Sequence, residues 1–263
     1  MPEGSGVAVV TGASRGIGRV ITERLAADGR TVVALGRSAD QLAEVAASCG
    51  AVPVVLDVTR SDAVQAAWPA LEAAHGPVDL LVNNAGYAGS GGPTWRQDSD
   101  DWWRVFEVNV RGVFACSRAA LPPMLARRRG RIVNVASNAA FFRVWDDNDA
   151  TIGSAYMASK AAVVRLSEAL AGETAGSGVS VFAISPGTVK TAMTAGPFAE
   201  LWDDPDLWSP PELAADLVAA IDAGDLDALS GRYIHAARDW RAMTGDVAGI
   251  AEEDLHTLRV REA

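Results

Sequence analysis

Cysteine is nearly absent from this chain of 263 residues, which carries only Cys49 and Cys116. Two thiols cannot build a disulfide framework. Both lie in apolar stretches with helical spacing, so buried thiols in a reducing compartment are expected. Histidine is almost as sparse: His75, His235 and His256 stand far apart with no ligand partner at metal spacing, and no metal site is expected. No apolar run approaches the ~20 residues needed to cross a bilayer. The start, Met1-Pro2-Glu3-Gly4, lacks the basic segment and apolar run of a secretory signal. A cytoplasmic location is expected by elimination.

Positive charge is also in deficit. Lys and Arg number 23 against 33 Asp and Glu, a formal net charge of −10. Phosphate-rich surfaces recruit proteins through an excess of Lys and Arg, so neither nucleic acid nor an anionic membrane is an expected partner. The run Arg127-Arg128-Arg129 is short and reads as a solvated helix end. Lysine is the scarcest base: apart from Lys160 and Lys190 every basic residue is arginine. A lysine in such a background invites a chemical question.

Apolar residues make up 49% of the chain, enough for a sizeable core in one large domain or at most two. Val7-Ala8-Val9-Val10 reads as a strand, followed at once by Thr11-Gly12-Ala13-Ser14-Arg15-Gly16-Ile17-Gly18 and then by Val20, Ile21, Leu25 and Ala26 at helical spacing. The alternation repeats. Strands are expected at Thr31 to Leu35, Val52 to Leu56, Val78 to Val82, Arg131 to Ala136, Val179 to Ile184 and Arg232 to His235. Helices are expected at Ala39 to Ser48, Asp62 to Ala74, about Ser99 to Ala126 with a break at Pro122-Pro123, Ser154 to Ala175 and Pro211 to Ala223, with a helical look from Glu252 to Val260.

Continuous apolar strands, each followed by a helix, imply a parallel sheet covered on both faces. The right-handed crossover rule then gives a doubly wound, Rossmann-type α/β fold with about seven strands. No linker or repeat divides the chain, so residues 1–263 are expected to form a single dinucleotide-binding and catalytic domain. The long irregular stretches Gly86 to Asp98, Asn138 to Gly153 and Pro186 to Ser209 all follow strand C-terminal ends, the edge where ligands bind in such sheets.

Gly12, Gly16 and Gly18 sit where the first strand becomes the first helix. Glycine there permits a tight turn and lets a pyrophosphate approach the amides at the helix N-terminus. No Gly-Lys-Ser/Thr closes the turn, so it is not a nucleoside-triphosphate loop. The Gly-x-x-x-Gly-x-Gly spacing resembles that of the short-chain dehydrogenase/reductase family. The remaining motifs support the resemblance in order: Asp57, Asn83-Asn84-Ala85-Gly86, Asn109, Ser137, Tyr156-Met157-Ala158-Ser159-Lys160, and Pro186-Gly187 with Thr191. It runs from about Val7 to His235.

Reduction of a carbonyl needs a proton delivered to the developing alkoxide. A free phenol has a pKa of about 10, and a nearby cation lowers it toward the operating pH. Tyr156 and Lys160 are four residues apart, on one face of the expected helix. Lysine suits this place because its compact ammonium can bond ribose hydroxyls and take part in proton relay. Ser137 ends the fifth strand, where its hydroxyl can hold the substrate oxygen. Ser137 precedes Tyr156 by more residues than is usual in the family, which reads as an insertion within Phe141 to Thr151 and leaves Ser154 as a rival. The resemblance implies that Asn109 kinks its helix and holds a water linking Lys160 to solvent.

The second strand ends Ala34-Leu35-Gly36-Arg37-Ser38, without the acid that would accept the adenosine ribose of NAD(H). Arg37 offers a fork for a 2′-phosphate, with Arg15 on its other side, so NADP(H) is expected over NAD(H). The resemblance further implies nucleotide contacts from Ser14 and Ile17 in the glycine turn, and from Asp57 (adenine) and Val58. It implies others from Asn84, Ala85 and Gly86 (ribose), and from Pro186, Gly187, Val189 and Thr191, the last on the carboxamide.

A lid over residues 191–209 and aromatics on the loops, Trp95, Phe141, Phe142, Trp145, Phe198 and Trp202, suggest a hydrophobic or aromatic small-molecule substrate, although the same rings can pack under their own loops or in a subunit interface. Asp146, Asp147 and Asp149 disfavour a carboxylated substrate on charge grounds. By analogy with the family, the C-terminal extension 238–263 helps form a homo-tetramer or homo-dimer. The expected activity is that of a ketoreductase or alcohol dehydrogenase. The alternatives are a catalytically silent nucleotide-binding regulator and a cofactor-independent lyase or dehalogenase on the same fold.

Overall fold

The computed structural model describes residues 6–141, 152–196 and 199–259. Its strands are β1 (Val7–Thr11), β2 (Val32–Gly36), β3 (Val52–Val55), β4 (Val78–Asn83), β5 (Gly130–Val135), β6 (Val179–Ser185) and β7 (Tyr233–His235). They form one sheet in the order β3-β2-β1-β4-β5-β6-β7, each neighbouring pair parallel. The chain leaves β1 in one direction to reach β3 and returns to start β4 on the other side. The switch point therefore falls between β1 and β4, where a doubly wound sheet opens a crevice at its C-terminal edge.

Every residue of β1, β2 and β4 is buried, because helices cover both faces. Successive side chains divide between two cores. Ala8, Val10, Val32, Ala34, Leu80, Val82, Phe182 and Ile184 pack with Ile21 and Leu25 of α1 (Gly16–Ala27), Leu42 and Val45 of α2 (Ala39–Cys49), and Leu217 and Ile221 of α7 (Glu212–Ala223). Val7, Val9, Val33, Leu35, Leu81 and Val181 face the other way. They meet Val64, Trp68 and Leu71 of α3 (Ser61–His75) and Ala115, Ala120 and Met124 of α5 (Gly112–Arg127). The α2 helix is framed by local chemistry: Ser38 accepts the Gln41 N–H at 3.4 Å, and Gly50 closes the helix in the left-handed region at φ 75°.

The long helix expected from Ser99 is interrupted elsewhere than expected. α4 (Ser99–Phe106) widens into a π-helical turn over Glu107–Arg111 before α5, and Pro122-Pro123 lie inside α5 without ending it. The turn surrounds Asn109, which is fully buried and whose amide draws the chain toward neighbouring backbone. Near the C-terminus the helical segments are α8 (Trp240–Met243) and α9 (Val247–Glu252). Residues 253–259 are not helical as expected but lie along β7. The His256 carbonyl accepts the Tyr233 N–H at 2.8 Å, and Glu168 of α6 (Ser154–Glu173) accepts the Leu258 N–H at 2.6 Å. Asp254 and His256 have left-handed backbones, at φ 48° and 59°, which break the helix.

Cys116 is buried but Cys49 only half so. The three arginines at 127–129 are exposed yet paired, Arg127 with Glu72 and Arg129 with Asp79, while Arg128 donates to the Gly176 carbonyl. Among the described residues no helix is long and apolar enough to cross a membrane.

Two glycines separate packing from propensity. A Cβ at Gly18 would lie 2.3 Å from Asn84 Nδ2 and 2.4 Å from the Gly12 carbonyl oxygen, whereas one at the exposed Gly172 meets nothing within 4 Å. Gly18→Ala is expected to destabilise the protein by about 1–3 kcal/mol. Gly172→Ala, near the end of α6, is expected to leave stability unchanged or raise it by up to about 1 kcal/mol. Urea unfolding of the two variants checks both, and equal midpoints would contradict the packing account.

Candidate active site

At the switch point the glycine turn is built around backbone that only glycine tolerates comfortably: Gly12 and Gly16 have φ of 63° and 56°. Thr11 locks the turn to the loop after β4. Its hydroxyl oxygen accepts the N–H groups of Asn84 and Ala85, both at 3.0 Å, and Asn84 Nδ2 donates to the Thr11 carbonyl at 2.9 Å. The first turn of α1 has no side-chain cap, so its amides remain available to an anion. Arg15 and Arg37 are exposed on the same edge, and Ser14 and Ile17 lie half-buried in the turn. Gly36, the last residue of β2, has no acidic substitute beside it.

Asp57 follows β3. Burial disfavours its charge, yet the Thr59 N–H at 2.9 Å and hydroxyl at 2.8 Å, aided by Arg37, hold its carboxyl below the usual range. Val58 is buried, next to the position where a Gly112 side chain would begin. From the far side of the cleft come Pro186, Gly187 at φ 86°, buried Val189, and Thr191. The Thr191 methyl lies 3.4 Å from where a Cβ of Gly16 would stand. The residues thus form an open cradle of glycine backbone, amides and guanidinium groups, which fits a dinucleotide carrying an extra phosphate.

The reacting groups converge one strand further on. Ser137 caps the short turn Asn138–Ala140: its oxygen accepts the Ala139 N–H at 3.1 Å. It stands beside Tyr156, whose ionised form it favours. Lys160 is buried and donates to the Val135 carbonyl at 2.7 Å, with Nζ 5.5 Å from the centre of the Tyr156 ring. Burial lowers the Lys160 pKa to about 8. The phenol departs from expectation. Burial raises the Tyr156 pKa and outweighs the opposing effect of Ser137, while the Lys160 ammonium is itself turned toward a carbonyl. Ser154 is not a rival here, since its hydroxyl is bonded to Thr94 at 2.9 Å and to the Trp102 indole N–H at 3.1 Å.

Asn109 occupies the wide turn of its helix as a clamp. Its carboxamide accepts the Tyr87 N–H at 2.8 Å and donates to the Tyr87 carbonyl and the Ser159 hydroxyl, both at 2.9 Å. Ser159 in turn donates to the Tyr156 carbonyl at 2.8 Å. The loop after β4 and the helix that carries Tyr156 are thereby joined. Sequence reasoning missed Thr11 and Ser159 as parts of this frame. A polar residue ending an apolar strand was the signal for Thr11; nothing local marked Ser159.

On the substrate side Phe142, Trp145, Asp146, Asp147, Asp149 and Phe198 lie outside the described residues. Trp202 meets Trp208 edge-on at 5.0 Å, and Lys190 Nζ sits 5.2 Å from one ring centre and 5.4 Å from the other. This cation–π cluster answers the question raised by the second lysine: it braces the residues after β6. Trp95 is 83% exposed. Among the described residues no cluster of His, Cys, Asp and Glu could hold a metal.

A glycine turn at the switch point and a Ser-Tyr-Lys group on the same edge define the class as an α/β oxidoreductase. Comparison with known proteins agrees, because the short chain dehydrogenase profile matches residues 6–201. The chain belongs to the short chain dehydrogenase family. It is 39% identical over 185 residues to 2-dehydro-3-deoxy-L-rhamnonate dehydrogenase (NAD(+)) of Sphingomonas sp. (strain SKA58), spanning 70% of this chain and 72% of that one. It is 32% identical over 224 residues to the NADPH-dependent pterin aldehyde reductase of Arabidopsis thaliana, spanning 82% and 89%. Among solved structures, a phenylalanine-to-tryptophan variant of actinorhodin polyketide ketoreductase with NADPH superposes with a TM-score of 0.79 at 31% identity, covering 88% of this chain and 95% of that one.

The buried lysine has a measurable consequence. Its pKa of about 8 lies below the ordinary 10.5, so between those values the unfolded chain binds more protons than the folded one. Its contribution to stability therefore rises with pH through that window and is constant at its lowest below it. The stability of the wild type relative to Lys160→Met is expected to increase from pH about 8 to about 10.5. Urea unfolding of both proteins across that range checks it; a flat difference would place the ammonium in water.

Proposed function

We propose that the protein is an NADP(H)-dependent reductase of a carbonyl carbon, acting on a hydrophobic or aromatic small molecule. The observation that carries the reading is the convergence of Ser137, Tyr156 and the buried Lys160 ammonium at the end of β5. When bound, the nicotinamide supplies hydride. The Ser137 oxygen already accepts the Ala139 N–H, and its proton, which favours the Tyr156 phenolate, is the one a substrate carbonyl oxygen would take up. Tyr156 is the acid that protonates the developing alkoxide. The phenol is protonated at neutral pH and has a proton to give, while burial makes it a weaker acid than a free phenol, which a cation turned toward it would offset. Lys160 steadies the phenolate that results. Asn109 acts at one remove, by fixing the helix on which both groups ride.

The relatives differ in the nucleotide their names carry, so the choice rests on this chain's own residues. Gly36 ends β2 where an acid would repel a 2′-phosphate, and Arg37 and Arg15 supply two guanidinium groups at that place. NADPH in the ketoreductase with the similar fold and an NADPH-dependent reductase among the relatives support the same choice. The glycine turn and α1 N-terminus would take the pyrophosphate, Asp57 and Val58 the adenine, Asn84-Ala85-Gly86 the ribose, and Thr191 with Pro186, Gly187 and Val189 the nicotinamide end. The segment 191–209 serves as the substrate lid, with Trp202 held by Trp208 and Lys190; Trp145 and Phe198, the other residues expected on the substrate side, lie outside the described residues.

Titration with NADPH and NADH, read as energy transfer from the eight tryptophans, is expected to show tighter NADPH binding. Arg37→Asp is expected to weaken NADPH binding by about tenfold or more, through loss of a charge-assisted pair and gain of repulsion. Equal binding of both nucleotides by the wild type would refute the arginine argument.

For the chemistry, Tyr156→Phe is expected to cut kcat at least ~100-fold while the NADPH Kd stays within about twofold. Loss of nucleotide binding in that variant would contradict the role given to the phenol.

A further inference from the structure

Beside Ser137 lies a second polar group that the reaction as described does not use. Asn138, the next residue, reaches across β6 to the end of β7. Its Oδ1 is 2.5 Å from Tyr233 Oη and its Nδ2 is 2.8 Å from His235 Nε2. His235 Nδ1 is 3.1 Å from the Ala237 main-chain nitrogen. Ser185, the last residue of β6, takes the Ala236 N–H on its carbonyl at 2.8 Å and the Gly187 N–H on its hydroxyl oxygen at 3.4 Å. The ring of Phe141 covers Tyr233 edge-on at 4.8 Å.

Proton counting orders these contacts. A main-chain N–H can only donate, so His235 Nδ1 must accept from Ala237. Burial, with Arg238 nearby, keeps the imidazole below its ordinary pKa and hence neutral at pH 7. A neutral imidazole has one donor and one acceptor nitrogen, so Nε2 carries the proton. An amide NH₂ facing that N–H would set donor against donor. The Asn138 amide is therefore turned with Oδ1 toward His235 and Nδ2 toward Tyr233. Tyr233 Oη then accepts from Asn138. The bonds run in one direction: the Ala237 N–H to His235, His235 to Asn138 and Asn138 to Tyr233.

We propose that His235, Asn138 and Tyr233 are positioning residues, whose one-way hydrogen-bond chain fixes the Ser137 turn against the end of β7, which the Ala236 N–H ties to Ser185 just before the Pro186-Gly187 turn. This rests on the reductase reading, since it gives the chain the task of holding the serine that grips the carbonyl relative to the loop at the nicotinamide end. The physical warrant is connectivity. Ser137 and Gly187 follow adjacent strands and belong to irregular loops. Beyond the Ala136 N–H bond to the Ile184 carbonyl at 2.7 Å, their spacing depends on what the loops themselves reach. Tyr233 is only 9% exposed, so little solvent competes for its bonds.

Two measurements on the full-length protein decide the matter. The first is nitrogen NMR of histidine-labelled wild type, in which three histidines give few signals and His235 is assigned by its loss in His235→Leu. The expected result is a protonated Nε2 and a bare Nδ1; the opposite tautomer overturns the chain whatever the activity. The second is ketone reduction with NADPH across a panel of aryl alkyl ketones. His235→Leu is expected to lower kcat about tenfold while KM for NADPH moves less than twofold, and His235→Gln, which restores a donor at the Nε2 position, is expected to recover most of it. Unchanged kcat in His235→Leu, or failure of Gln to restore more than Leu, sinks the proposal while leaving the reductase reading intact. A wild type that binds no NADPH and reduces no ketone sinks the reductase reading and the positioning task with it.

Discussion

Because every strand of the sheet runs the same way, seven strand ends open onto a single edge, and everything functional about the molecule follows from what those ends carry. Thr11 ends β1, Gly36 ends β2, Asn83 ends β4, and Ser185 ends β6; Ser137 stands two residues beyond β5 and His235 closes β7. Residues dispersed over more than two hundred positions become neighbours with no dedicated binding domain. The helices serve the same edge from below. The N-terminus of α1 points its free amides at it, and α6 brings Tyr156 and Lys160 up beside Ser137.

Holding an edge of loops in place requires polar bonds inside an apolar body, and the protein concentrates them directly beneath the site. Asn83 Nδ2 bonds Asn134 Oδ1 at 2.8 Å, across the β4–β5 pairing in which these residues stand opposite each other. Asn134 in turn bonds Ser167 of α6 at 2.9 Å. Asn109 does the same for the loop after β4, and the wide helical turn around it is the backbone distortion that brings that amide into reach. Such groups are expensive to bury unless nearly all their bonds are made. Here they are, apart from Asn83 Oδ1, which lacks a partner. One carbonyl holds the buried Lys160 ammonium, and desolvation shifts its proton affinity far enough to matter at working pH.

The two lysines show how similar side chains acquire different tasks from their surroundings. Lys160 is enclosed, points at a backbone carbonyl and titrates low. Lys190 is exposed and lies over two indole faces, where its charge serves packing rather than proton chemistry. Their scarcity in an arginine-rich chain flagged both, but composition could not say which would be chemical and which mechanical.

Element identity and order were legible in the sequence because apolar periodicity and glycine placement are local consequences of backbone geometry. Most boundaries fell within a residue or two of those observed. The glycine turn, the Tyr156 and Lys160 pair, Ser137 and the arginines near the second strand were legible for the same reason, each being a short pattern with its own chemical logic. What escaped the sequence depended on partners far along the chain. The helix after Ser99 widens at Asn109 rather than breaking at Pro122-Pro123, because the pull comes from Tyr87 and Ser159. Residues after Glu252 abandon helical periodicity because β7 and Glu168 offer them better bonds. The tie from Asn138 to Tyr233 and His235 joins residues almost a hundred positions apart. Near neighbours along the chain were thus enough to specify which elements form and which chemical groups are on hand. Which of those groups meet, how far each is desolvated and where each proton sits were settled by folding, because they depend on contacts that no stretch of sequence contains.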